Sequence, residues 1–117
     1  MKADFLALLQ ALPQAPGPDY PQGTPFVRAL AHGSMRVELF APAASGLGRD
    51  IQQPHAQDEL YVVQHGTSGF WLEGQRSHVQ TGDVLFVPAG AAHRFENFSD
   101  DFVTWVVFYG PNGGEQA

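Results

Sequence analysis

The spacing of apolar positions changes after residue 25. Before that point Phe5, Leu8, Leu9 and Leu12 recur at i, i+3, i+4 and i+7. That spacing lines one face of a short helix, which Pro13 ends, and it predicts a helix capping the domain by its apolar side. Residues 13–25 hold five prolines in thirteen positions and read as an extended connection without regular structure. From Phe26 onwards the period is two. Met35, Val37, Leu39 and Ala41 share one side of a strand, and Arg36, Glu38 and Phe40 share the other. Further strands are expected over 26–31, 59–64, 70–73, 76–80, 84–87, 92–97 and 102–109. The last is almost continuously apolar, which implies burial on both faces. Eight or nine short strands, spaced ~8–12 residues apart and separated by Gly- and Pro-rich turns, predict an all-β sandwich or small closed barrel.

Length and composition narrow this picture. A chain of 117 residues fits one domain: a helix over 1–13, a connection over 14–25 and a barrel over 26–110, followed by a mobile tail. Six basic against twelve acidic residues give a formal charge of −6, which argues against nucleic acid or an anionic membrane as a partner. With no cysteine, disulfides, thiolate metal sites and cysteine nucleophiles are excluded. No run reaches the ~18 apolar residues of a membrane span, and the amino end does not read as a signal peptide. The expectation is a cytoplasmic protein.

Two stretches combine strand-like residues with metal-binding groups. Residues 54–66 supply His55 and Glu59, and residues 82–97 supply His93. Alternation places Glu59, Tyr61 and Val63 on one face of a strand, and His93 and Phe95 on one face of another. If the first strand starts early, His55 joins Glu59, and two neighbouring strands aim two imidazoles and a carboxylate at one point. Such a set leaves open positions on the ion and suits iron, manganese, nickel or zinc. Gly90, between Pro88 and His93, belongs to the turn that aims the histidine. His65, His78 and His32 read as surface residues, Asp58 as a loop cap, and Arg94 as outward-facing. Arg36 and Arg28 are the bases that could reach a carboxylate.

At these residues the chain resembles a known family. Gly82, Pro88, Gly90, His93 and Asn97 follow one another at intervals of six, two, three and four positions, as in the second conserved motif of the cupins. In the first motif His55, Glu59 and Gly66 match, and Gly48 stands one residue short of the usual leading glycine. The resemblance is to a small single-domain cupin of the conserved-barrel type. It implies an all-β jelly-roll (cupin) barrel with a short N-terminal helix here, a homodimer, and one divalent metal ion held by three histidines and a glutamate. Gln53 stands where the first of those histidines is usual. As a ligand it would act through its amide oxygen, a poorer donor than imidazole for borderline metals.

The pocket is expected to be small and mostly apolar, with Phe86, Phe95 and Trp105 lining it and Tyr61 or a metal-bound water as the candidate acid–base group. Two functional classes stay open. One is a metal-dependent enzyme on a small organic substrate, by dioxygenase, isomerase or lyase chemistry. The other is a non-catalytic metal or small-molecule binding module.

Overall fold

The computed structural model describes residues 1–116. It contains one short helix, α1 (Phe5–Gln10), and eight strands: β1 (Phe26–His32), β2 (Met35–Phe40), β3 (Asp58–His65), β4 (Thr67–Leu72), β5 (Gln75–Gln80), β6 (Val84–Val87), β7 (His93–Glu96) and β8 (Val103–Tyr109). A single 3-10 turn (Pro42–Ser45) follows β2. The strands form two antiparallel sheets, one ordered β1-β2-β8-β3-β6 and the other β5-β4-β7. This is the jelly-roll arrangement the resemblance implies, one of the sandwiches and barrels the alternating pattern allows. No helix among the described residues is long and apolar enough to cross a membrane.

The sheets close over an aromatic core that includes Phe40, Tyr61, Phe70, Phe95, Phe102 and Phe108, each at most 4% exposed. A second cluster lies on the outer face of the larger sheet, where Leu39, Ala41 and Val103 meet Phe5, Leu8, Leu12 and Trp105. A helix of six residues does not persist in water by propensity alone. Here Asp4 accepts from the Ala7 N–H at its start, and the apolar side packs on the sheet as its spacing predicts. Because β8 is flanked by β2 and β3 and covered on the outside by this cluster, both of its faces are indeed occupied.

Three expectations change. The connection over 14–25 is not wholly irregular, since Gln14 and Thr24 form an isolated bridge. β3 and β7 are not neighbours within one sheet; they face each other across the barrel, one in each sheet. The tail after Gly110 is tied down. Gly113 N–H donates to Ala56 O at 2.7 Å, Glu115 N–H donates to Asp58 Oδ2 at 2.9 Å, and Gln57 Nε2 donates to Gly110 O at 2.9 Å. Backbone donors in a strandless tail need acceptors as much as those in a sheet do, and Ala56 and the first residue of β3 supply them.

Candidate functional site

Strand alternation builds the centre of the site. Glu59 and Tyr61 point inward from β3, and His93 and Phe95 point inward from β7. The side chains of His93 and Glu59 are 0% and 1% exposed, with Nε2 and Oε1 2.9 Å apart. The Tyr61 hydroxyl lies 3.1 Å from the same Nε2 and donates to Gln52 Oε1 at 3.0 Å. Phe95 and Phe70 pack edge-on and tilted around this group and keep water out.

The turn at 88–91 positions both histidines. Ala91 N–H donates back to Pro88 O, and Gly90 has φ +79°, a conformation that side chains other than glycine's resist. Gly90 N–H donates to His55 O at 2.8 Å, Ala89 N–H donates to Asp58 Oδ1 at 2.9 Å, and the Ala91 carbonyl accepts from His93 Nδ1 at 2.9 Å. A carbonyl only accepts, so Nδ1 carries a proton. In a neutral ring, Nε2 is then a bare lone pair aimed at a carboxylate oxygen. Two acceptors at that distance need a cation between them. Burial works against charge on His93, but the hydrogen bond to Glu59, the Ala91 carbonyl and the nearby carboxylates outweigh it and raise its pKa.

That cation is either a proton shared by Nε2 and the Glu59 carboxyl or a metal ion. Two observations test the fit of an ion. Glu59 Oε2 is buried and has no hydrogen-bond partner, an expensive state for a carboxylate oxygen unless something else binds it. Metal-binding histidines commonly donate their second nitrogen to a backbone carbonyl, as His93 does. Glu59 and His93 therefore suit a divalent cation.

The other expected ligands stand differently. Among the described residues, no three His, Asp or Glu side chains converge as they stand into an ion cage. The His55 ring lies 6.2 Å from that of His93, centroid to centroid, and packs edge-on to Phe108 at 4.7 Å. It borders a cavity of about 280 Å³ shared with Phe26, Arg36, Glu38, Gln52 and Val106. Gln53 is exposed and borders a surface cavity that His93, Trp71 and Arg94 also line; its neighbour Gln52 makes the contact with Tyr61 instead. The backbone here is irregular, so period two does not apply, and Asp50 decides the direction. Asp50 is buried, accepts from the Phe95 and Gln52 backbone N–H groups, and also takes a hydrogen bond from the Gln52 amide. Burial raises its pKa against those bonds. Burial, followed by the charges of Glu59 and Asp50, also holds the Tyr61 phenol well above 10, so it stays protonated at neutral pH.

Two expected lining residues are elsewhere. Phe86 is 50% exposed on the outside of β6, because the pairing of Glu59 with Val87 and of Tyr61 with Leu85 turns Val87 and Leu85 inward. Trp105 lies on the outer face of β8 against Phe5, with its indole N–H on Gln64 Oε1. Phe95 is interior, behind Tyr61. Asp50, Gln52 and Glu38 carry no sequence expectation as site residues, whereas Arg36 does, as a base that could reach a carboxylate. Alternation did place Arg36 and Glu38 on one face, but both faces of β2 are covered, so the pattern does not say which is inside.

The comparisons agree with the fold. A family model described as a cupin domain matches residues 37–109. An uncharacterised protein of Streptomyces coelicolor is 38% identical over 86 residues, covering 74% of this chain and 80% of its own. A cupin superfamily protein from Desulfitobacterium hafniense has a similar structure, with a TM-score of 0.58 at 18% identity over 74% of this chain and 76% of that one. Solved DMSP lyases are 28% identical over 69% of this chain and 41% of that one, with a TM-score of 0.55.

Proposed function

This chain belongs to the cupin family, and from that premise we propose that it is a metal-dependent enzyme acting on a small organic molecule. The observation that carries the reading is the buried His93–Glu59 pair, with Glu59 Oε2 unspent and a phenol 3.1 Å from His93. His93 and Glu59 would hold the ion, His55 would join them by turning from Phe108, and Gln53 would take no part. When bound, the ion would act as a Lewis acid on a substrate oxygen. Tyr61 is the proton donor nearest that point. Its hydroxyl is fixed by Gln52, and burial keeps it protonated, so it serves as general acid or hydrogen-bond donor. Asp50 holds Gln52, and through it Tyr61, in register. Such a set favours isomerisation or elimination beside a carbonyl, and the likeness to DMSP lyases supports the lyase side of that pair.

The test is elemental analysis of protein purified without an affinity tag, followed by reloading with manganese, iron, nickel or zinc. The expected result is one ion per chain, lost in His93→Ala and Glu59→Ala. A protein that takes up none of the four ions, or binds them equally in both variants, would refute the reading. Metal without turnover of any carbonyl compound would leave a binding module. We also propose a homodimer, with light scattering as its check. Its interface would not use an edge of β8, which is paired on both sides. The β6 edge, where Val84 and Phe86 are 60% and 50% exposed, suits it better.

A further inference from the structure

The cavity beside His55 has a second polar end. Arg36 and Glu38 lie two positions apart on the inward face of β2, and Arg36 Nε donates to Glu38 Oε2 at 2.9 Å. The Arg36 guanidinium carbon sits 4.4 Å from the centroid of the Phe108 ring, the same ring that the His55 imidazole meets. Phe108 thus separates a candidate ligand of the metal from a stacked cation. The two charged side chains are 33% and 19% exposed, so they belong to neither the open surface nor the dry core.

Placing a guanidinium among Phe26, Val106 and Phe108 costs desolvation, which a lone pair with Glu38 does not fully return. Its donors are also not used up. A guanidinium carries five N–H groups, and among the described residues only the one on Nε is engaged. Phe108 fixes the plane of the fork and Glu38 fixes its rotation, leaving the Nη edge preset. A planar, oriented fork is suited to taking a carboxylate through two parallel hydrogen bonds. With a chain charge of −6, an anion is not drawn in by the overall field, so a specific cation has to do it.

Glu38 refines the choice. Its charge opposes a simple anion at the same spot. A ligand whose carboxylate is accompanied by a hydroxyl or amine converts that repulsion into a hydrogen bond. The volume of about 280 Å³ lies just below the ~300–1,000 Å³ range of sites for drug-sized ligands. We infer that the cavity binds a small hydroxy- or amino-carboxylic acid, with its carboxylate on the Nη edge of Arg36 and its hydroxyl or amine donating to Glu38. This names the substrate class for the function proposed above and rests on that reading, but the binding step does not need the metal.

The experiment is calorimetric titration of the full chain, stripped with chelator and separately loaded with manganese, against lactate, malate, propionate and lactamide. Lactate and malate are expected to bind both forms, propionate more weakly, and uncharged lactamide not at all. Arg36→Gln should weaken lactate by at least about tenfold while taking up manganese as the parent does. Arg36→Lys, which keeps the charge and loses the fork, should fall between them. Glu38→Gln should abolish the preference for lactate over propionate. Acid binding in the stripped form stands even if the metal assignment fails. A cooperatively melting Arg36→Gln, or an Arg36→Lys, that binds lactate like the parent would overturn the inference. So would a parent chain that binds none of the acids in either form.

Discussion

The two halves of the site are built differently. Glu59, Tyr61 and His93 stand on paired strands, are nearly or wholly buried, and have their directions set by the pleat. His55, Gln52 and Gln53 stand on an irregular segment with no ladder, held by the Gly90 N–H, the Gly113 N–H, the Tyr61 hydroxyl and the buried Asp50. One half is fixed by ladders and the other by isolated hydrogen bonds. The rigid half presents the acid and one imidazole in contact. The loop half holds the second imidazole 6.2 Å from the first, so a ligand or ion can recruit it without disturbing the barrel. On the reading proposed above, the fixed half would set whether an ion binds, and the loop half would tune how tightly.

The largest expected effect breaks the fixed half. His93→Ala leaves the Glu59 carboxylate buried without its partner. The metal-free protein should lose about 3 kcal/mol in urea unfolding, and ion affinity should fall by more than about a hundredfold, beyond the ~10–100-fold of a supporting residue. His55→Ala should cost affinity but little stability. If both variants lose stability equally, the contrast between the halves is wrong. Next is Gly90→Ala. An alanine at φ +79° costs about 1–2 kcal/mol, and the shifted turn moves both His55 and His93, so affinity should drop about tenfold. Stability lost without affinity would mean that the turn aims neither histidine.

Acidity separates the halves in another way. An unfolded histidine titrates near 6.5, and His93 in the fold titrates higher. In the metal-free protein the His93–Glu59 contribution is therefore complete below about 6.5 and is lost as pH rises through the folded value. Metal needs a bare Nε2, so affinity should rise with pH across that same window. Melting curves with and without manganese should diverge as pH rises; parallel curves would remove the ion from Nε2. The smallest effect compares adjacent residues. Gln52→Ala removes the acceptor of the Tyr61 hydroxyl and should cost about 1 kcal/mol, whereas Gln53→Ala should change neither stability nor metal content. Metal loss in Gln53→Ala alone would restore it as a ligand.

The same contrast explains what the sequence made legible. Period two oriented Glu59, Tyr61, His93 and Phe95 because both strands are paired and one face of each is interior. It could not orient Gln52 and Gln53, where a buried aspartate takes the place of a ladder. Side-chain type marks Trp105 and Phe86 as aromatic but not which way they face, and strand register sends both outward. The pinned tail was invisible because glycines and a proline signal irregular backbone and say nothing of whether that backbone finds acceptors.

Those tail contacts bear on how the protein should be handled. A purification handle fused after the last residue would tug on backbone that is fastened to the His55 segment, and an oligohistidine handle there would compete for the ion being measured. The amino end leads into α1 on the outer face of the barrel, so a cleavable handle placed there leaves the chemistry undisturbed.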